Sequence, residues 1–232
     1  MIGLLLLGCS AGPDSEVNDP WGAYLCPWGE ERGTDPIAVQ GFLYASEDGA
    51  PLGGAKVSAC REPNEGTLSN GEGNWSLSLP DRGFVVVDQT LDGRVPNRCV
   101  FDPRVEGTEQ DPYRIGMGTF DTAEFPIAAL GIYPVEGLSW VDVDALDLAT
   151  GRDLPGTSID ITAPYEAAVS QEADGTFVLS NTTTEQFDVI FANVERVPFE
   201  VRASHPDKEG CIVPPKMVGE GTDQLNLSVY CY

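Results

Sequence analysis

The sequence contains little histidine and few basic side chains, and each shortage argues against a class of function. There is one histidine in 232 residues. Catalytic zinc sites usually take two or three, so histidine-ligated metal catalysis is not expected. Lysine and arginine together number 13 against 37 acidic residues, which gives a formal net charge of −24. This charge repels phosphate backbones, so we expect no nucleic-acid partner, and no motif calls for a cofactor or a metal.

Long apolar runs are also missing beyond the first residues, so no stretch reaches the roughly 20 apolar residues of a membrane-spanning helix. The short apolar run at the N-terminus ends in Leu6-Leu7-Gly8-Cys9. This motif resembles the lipobox of bacterial lipoproteins, in which signal peptidase cuts before a cysteine that carries lipid. The resemblance implies a signal peptide over 1–8 and lipidation of Cys9. The run is short and no basic residue precedes it, so an ordinary secretory leader with a chance cysteine is the alternative.

Residues 9–36 are rich in Gly, Pro, Asp and Glu, which indicates a tether that carries the lipid. Aromatic residues interrupt this segment, and Trp21 and Trp28 are the candidate ligand contacts of the chain. Each indole could stack on a sugar ring or dock against a domain, and the sequence does not separate these two roles.

Beyond the tether, Val, Ile, Thr and Phe alternate with polar residues between Gly and Pro clusters. This pattern is typical of short strands in a β-sandwich. A repeat with an offset of 102 residues aligns Gly49 with Gly151, and Trp75 with Phe177. We therefore predict an all-β chain with two tandem Greek-key sandwiches, over 37–125 and 137–232, the second divergent. The two should form separate, superposable units, with Trp75 and Phe177 in equivalent core positions.

The first copy resembles a known family in three segments: Val-x-Gly-x-Leu at 39–43, Pro-Leu-Gly-Gly-Ala-x-Val at 51–57, and Gly-Asn-Trp-x-Leu at 73–77. They are similar to the carboxypeptidase regulatory-like domain, and Val143 replaces the family's glycine in the second copy. The resemblance implies a transthyretin-like, seven-stranded Greek-key sandwich with the role of a non-catalytic appendage. It does not imply a ligand.

Catalytic groups are not evident. The single histidine lies in His205-Pro206-Asp207, which is most simply a turn. A pair of carboxylates is enough for glycosidase chemistry, but nothing selects one pair among 37 acidic residues. The densest acidic patch is Asp142, Asp144, Asp147 and Asp153. Because the first two alternate with valines, we interpret the patch as a solvated strand face rather than a calcium site.

Five cysteines remain once Cys9 is set aside, so at least one is unpaired within the monomer. The second copy contains only Cys211 and Cys231, which predicts one local disulfide. In the first copy we favour a Cys60–Cys99 disulfide, with Cys26 left over on the tether. Strand alternation puts Cys60 on the face opposite Val57 and Ala59, so a Cys26–Cys60 disulfide on the outer surface is the rival.

The sequence thus predicts a non-catalytic lipoprotein of a bacterial cell envelope, with the outer membrane favoured. Its membrane contact would be the lipid on Cys9, and its tandem sandwiches would act as a binding or structural module for a protein or glycan. The alternatives are a carbohydrate-binding accessory lipoprotein and, less favoured, a hydrolase with an unrecognised carboxylate pair.

Overall fold

The computed structural model describes residues 22–60, 66–109, 112–119, 126–185, 188–219 and 224–232. Cys9 and Trp21 lie outside these ranges. Within them the chain is almost all β, as predicted: a one-turn helix, α1 (Gly22–Leu25), precedes the strands, and a 3-10 helix (Pro126–Leu130) lies midway. No helix in the described ranges is long and apolar enough to cross a membrane.

The described residues of the first half of the chain form seven strands. They are β1 (Ile37–Ala45), β2 (Lys56–Ala59), β3 (Thr67–Leu68), β4 (Asn74–Leu79), β5 (Val85–Thr90), β6 (Asn97–Phe101) and β7 (Tyr113–Met117). One sheet has the order β4-β1-β7, in which β1 is antiparallel to β4 and parallel to β7. The other strands pair in the order β3-β2-β5-β6, and the two sheets enclose a first core.

A glycine in β1 explains the Val-x-Gly-x-Leu motif. Alternate residues of β1 face the core, so Val39 and Leu43 are fully buried on the same face as Gly41. A Cβ atom on Gly41 would lie 2.2 Å from the indole ring of Trp75, which is the register partner of Gly41 on β4. The strand needs glycine here because the indole ring occupies the space of a side chain.

In the second half of the chain, the described residues form nine strands. They are β8 (Ser139–Asp147), β9 (Arg152–Asp153), β10 (Ser158–Ile161), β11 (Ala167–Gln171), β12 (Phe177–Leu179), β13 (Val189–Val194), β14 (Val201–Ser204), β15 (Cys211–Ile212) and β16 (Gln224–Cys231). Strands β10 and β14 form a two-stranded sheet, whose buried side chains share a second core with β8, β13 and β16.

The two halves share one long sheet, in contrast to the separate units that we expected. Strand β16 lies between β8 and β6 and runs parallel to both. The sheet therefore continues in the order β12-β11-β13-β8-β16-β6-β5-β2-β3. On β5, Val85 and Val87 face the first core, whereas Val86 faces the second. The consecutive valines of β5 follow from burial on both faces of the sheet.

The predicted equivalence of Trp75 and Phe177 is wrong. Trp75 is 4% exposed in the first core, on the strand that pairs with β1. Phe177 is only partly buried, on strand β12 at the end of the long sheet. The strand that pairs with β8 is instead β13, because a β11–β12 hairpin precedes it in the chain. A constant sequence offset therefore does not match the order in which the strands pair.

The cysteine pairing is correct in the second half and wrong in the first. Cys211 and Cys231 are register partners on β15 and β16 and form a disulfide. The favoured Cys60–Cys99 pair is absent, and Cys26 pairs with Cys60 instead. Cys60 packs against the second core, whereas Cys99 is a buried free thiol in the first. The two side chains lie on opposite faces of one sheet, so they cannot meet.

Candidate ligand-binding cleft

A cleft forms where the long sheet extends beyond the sheet that covers it. The β4-β1-β7 sheet covers the first half of the long sheet and ends at β7. The long sheet continues under β16, β8 and β13, which leaves a cleft between the edge of β7 and this floor. Two adjoining parts of the cleft have volumes of about 230 Å³ and 280 Å³, and Arg114 and Asp142 line both.

Three aspartates lie on the cleft floor. Asp142 and Asp144 belong to β8, whose alternate residues Val141 and Val143 face the second core. Asp188 immediately precedes β13, the antiparallel neighbour of β8. All three line the cleft and are half-buried. Strand alternation thus separates an apolar face of β8 from an acidic face, and the cleft keeps that acidic face partly out of water.

Burial and mutual repulsion raise the pKa values of these aspartates. The pKa of Asp142 is raised well above its ordinary value by burial and by the charge of Asp188. Burial and the same neighbour also raise the pKa of Asp144. The pKa of Asp188 is raised by burial, although a hydrogen bond from Asp144 opposes that rise. A hydrogen bond between these two carboxyl groups requires a proton on one of them, so the pair shares a proton.

The carboxylate of Asp142 has an oxygen without a partner. Its Oδ1 atom is buried and forms no hydrogen bond. On either side, Asp142 has Asn226 of β16 and Ile190 of β13 as register partners. A buried carboxylate oxygen without a donor is costly, and the arrangement leaves this oxygen ready for a donor from a ligand.

The opposite wall of the cleft consists of β7 and the end of β1. Arg114 of β7 is exposed there, and Tyr44 of β1 lines the cleft beside it. The pKa of Tyr44 is raised by burial and by the charge of Asp142, and Arg114 acts in the opposite direction. These shifts indicate that Tyr44, Arg114 and Asp142 lie within electrostatic reach of one another.

The predicted acidic patch is divided between different environments. Asp147 accepts hydrogen bonds from Lys208 and from the Thr150 backbone in a turn, which lowers its pKa. Asp153 is exposed at the rim of the cleft. For Asp142 and Asp144, the interpretation as a solvated strand face is wrong, because the cleft removes them partly from water. No three His, Cys, Asp or Glu side chains in the described ranges are placed to hold a metal ion.

The other sequence candidates lie away from the cleft. The Arg82 guanidinium lies 5.3 Å from the centre of the Trp28 ring, and Trp28 packs against both the first and the second cores. Of the two roles considered for Trp28, the structure favours docking. His205 is in a turn, where its Nδ1 atom accepts a hydrogen bond from the backbone nitrogen of Asp207.

Sequence reasoning missed four residues of the cleft: Tyr44, Arg114, Asp188 and Asn226. Two of them carried a local signal, because Asp188 and Asn226 adjoin apolar strand residues in the manner of Asp142. Tyr44 and Arg114 carried none, because an outward-facing residue next to a buried strand position is ordinary.

The Asp144–Asp188 pair does not match the arrangement of a glycosidase. Its two carboxyl groups are within hydrogen-bonding distance of each other. Retaining glycosidases separate their two carboxyl groups by about 5 Å and inverting enzymes by more, because a sugar or a water lies between them. This pair is therefore too close for that chemistry.

Comparisons with known proteins add no family. No model of a known protein family matches the sequence, and no curated protein matches it. Among solved structures, the TIE protein of Bacillus anthracis has a TM-score of 0.26 and 14% identity over 85% of this chain, which spans 34% of that protein. The shaft pilin SpaA of Lactobacillus rhamnosus GG has a TM-score of 0.24 and 9% identity over 86% of this chain and 98% of that one.

A third solved structure, the minor pilin GBS52 of Streptococcus agalactiae, has a TM-score of 0.26 and 9% identity over 89% of this chain and 87% of that one. Similarity this weak carries no conclusion about the present chain. The assignment as a β-sandwich protein rests on its own strands and cores.

Proposed function

We propose that this chain is a non-catalytic binding module of a bacterial cell envelope, and that its ligand occupies the cleft between β7 and the acidic floor. The observation that carries the proposal is the buried, unpartnered Oδ1 atom of Asp142 on that floor. A ligand that donates a hydrogen bond to this oxygen would offset a cost that the unliganded protein bears.

The electrostatics of the floor support the same proposal. Burial destabilises the charged forms of Asp142, Asp144 and Asp188, and the charge of Asp188 further raises the pKa values of the other two. Residues that shift pKa values in this way concentrate at functional sites, because stability alone would favour neutral side chains there. We therefore interpret the acidic floor as a feature retained for binding.

The proposed location rests on cysteine chemistry. The Cys26–Cys60 and Cys211–Cys231 disulfides are typical of a protein that folds outside the reducing cytosol. The lipobox-like segment that ends at Cys9 would supply a lipid anchor, and the part of the predicted 9–36 tether that precedes the disulfide-bonded Cys26 would hold the sheets away from the membrane. We propose that the chain attaches to the outer membrane. We also propose that its first half is related to the carboxypeptidase regulatory-like domains that it resembles.

A capture experiment tests the binding role. The chain, tagged at its C-terminus, is incubated with solubilised native envelopes as wild type and as the Asp142→Asn and Asp188→Asn variants. Asp92→Asn is the control, because it removes the same charge from an exposed position outside the cleft. We expect one component to bind wild type and Asp92→Asn and to be lost from both cleft variants. Binding that is equal in all four chains would refute a role for the cleft.

Carbohydrate binding is the second candidate, and one observation favours it. The rings of Phe42 and Tyr44 stack at 6.0 Å between centroids, and Tyr44 lines the cleft. Aromatic rings beside carboxyl and amide groups are a common arrangement for sugars. A glycan array would show binding lost in Tyr44→Ala and kept in Trp28→Ala. An array without any bound glycan would remove this candidate.

A further inference from the structure

We infer that the cleft accepts an extended peptide segment that carries a lysine or arginine, and that the segment adds as a strand to the free edge of β7. The inference rests on the proposed function and names the class of ligand. Two independent features support it: the excess of acidic over basic groups in the cleft, and the edge of β7 that no described strand pairs with.

The charge argues for a cationic ligand. Among the described residues that line the two parts of the cleft, five are acidic: Glu106, Asp142, Asp144, Asp153 and Asp188. One, Arg114, is basic. An ammonium or guanidinium group would neutralise part of this excess and donate hydrogen bonds to the unpartnered Oδ1 atom of Asp142.

The arrangement of the carboxyl groups favours an organic cation over a metal ion. Calcium needs six to eight oxygen ligands around one point, whereas the described acidic groups do not cluster in this way. A lysine ammonium carries three donors and needs only two or three acceptors. The apolar stem of a basic side chain could pack along Trp140 and Ile190, which line the same cleft.

The edge of β7 argues for a peptide over a small amine. Within the described ranges β7 forms a ladder only with β1, and its other edge is bonded just beyond the strand, where the backbone nitrogen of Val95 donates to the carbonyl oxygen of Gly118. In the parallel pairing with β1, the backbone groups of Arg114 and Gly116 face this other edge, and both residues line the cleft. An open strand edge binds an extended chain through main-chain hydrogen bonds, and neighbouring pockets select alternate side chains.

Binding of labelled peptides to the folded, tag-free chain tests both features. The probe is a seven-residue β-forming peptide with two alternating lysines, acetylated, amidated and labelled with fluorescein for anisotropy. One comparison peptide replaces lysine with glutamine, and a second keeps lysine but is N-methylated at alternate backbone nitrogens. Cadaverine, calcium chloride and a neutral oligosaccharide are the competitors.

We expect the lysine peptide to bind at least about tenfold more tightly than the glutamine or the N-methylated peptide. Asp142→Asn should weaken lysine-peptide binding by about tenfold, whereas the Asp92→Asn control should not change it. Arg114→Gln should strengthen it, because this variant removes a cation of the cleft wall that opposes the ligand. Circular dichroism verifies that each variant is folded.

Equal binding of the lysine and glutamine peptides would overturn the inference, and so would an N-methylated peptide that binds as well as its parent. Displacement by calcium or the oligosaccharide that depends on Asp142 would overturn the peptide assignment while leaving a binding cleft. If no probe binds and the capture experiment shows no dependence on Asp142, the proposed function itself fails.

Discussion

The hydroxyl group of Tyr230 lies 2.7 Å from the backbone nitrogen of Asp102 and accepts a hydrogen bond from it, although the two residues are 128 positions apart. Tyr230 belongs to β16, and Asp102 follows directly after β6. The same hydroxyl donates to the carboxylate of Glu106. This buried contact joins the last strand of the chain to its first half, beside the parallel pairing of β16 with β6.

Replacing Tyr230 with phenylalanine should weaken this junction. Tyr230→Phe removes the hydroxyl group. The Asp102 nitrogen then loses its acceptor, and the Glu106 carboxylate loses the hydrogen bond that the hydroxyl donates. Because the Asp102 nitrogen is buried, we expect a loss of about 1–3 kcal/mol in the free energy of unfolding, measured by urea denaturation. Tyr232→Phe, at a residue that is 54% exposed, is the matched control and should change stability little. Equal effects of the two substitutions would contradict a role for the Tyr230 hydroxyl.

The shared sheet predicts that the two halves unfold together. Trp75 reports on the first half and Trp140 on the second. Two variants are needed, and each keeps one of these residues and has the other tryptophans changed to phenylalanine. The fluorescence of each variant then reports on one half only. Within each variant, the urea midpoint from fluorescence should coincide with the midpoint from circular dichroism. A fluorescence midpoint that differs from the circular-dichroism midpoint would show that the halves unfold independently.

The acidic floor predicts a particular dependence of stability on pH. Because the folded-state pKa values of Asp142 and Asp144 are raised, their carboxyl groups favour folding below the ordinary aspartate pKa of about 3.9. That contribution is lost as pH rises through the folded-state pKa values. Asp142→Asn removes one such group, so it should increase the free energy of unfolding at pH 7.

The gain in Asp142→Asn should disappear at pH 3, where the wild-type carboxyl group is protonated in both the folded and the unfolded states. Urea denaturation from pH 3 to pH 7.5 measures the difference. Asp92→Asn corrects for the general effect of net charge. A variant less stable than wild type at pH 7 would show that the Asp142 carboxylate is stabilising and would contradict the pKa shift.

The cysteines should react according to their burial and pairing. Non-reducing peptide mapping should give Cys26–Cys60 and Cys211–Cys231, with Cys99 unmodified by iodoacetamide until the protein unfolds. Burial raises the pKa of the Cys99 thiol, which suppresses the reactive thiolate. Replacing both Cys211 and Cys231 with serine should cost about 3 kcal/mol, because the disulfide closes a loop with a sequence separation of 20. Rapid labelling of Cys99 in the native protein would contradict its burial.

The proposed anchor predicts a change in location. In the producing bacterium, Cys9→Ser should release the protein into a soluble fraction or leave an unprocessed precursor, because the lipid would no longer be attached. Membrane fractionation and mass spectrometry of the N-terminal peptide measure these outcomes, and Ser10→Ala is the neighbouring control. An unmodified Cys9 in wild type would refute the lipid anchor.

Local patterns were enough to predict the strands and some of the packing. Alternation of apolar and polar residues predicted β1 and β8, and the Gly41 position in its motif corresponds to the contact with Trp75. The Cys211–Cys231 pair followed because the second half offers only these two cysteines. The strands and the glycine motif depend on residues that are neighbours in the chain. The disulfide could be predicted because two cysteines can pair in only one way.

By itself, then, the sequence determined the all-β class, the period of the strands and the charge of one face of β8. Only the tertiary structure decided that β16 lies between β6 and β8, and this pairing determined the rest. It buried β5 on both faces, put Cys60 and Cys99 on opposite sides of a sheet, and extended the floor beyond β7. The cleft joins Arg114 to Asp142 and Asn226, whose proximity no local pattern specifies, because it arises from strand pairing between residues far apart in the chain.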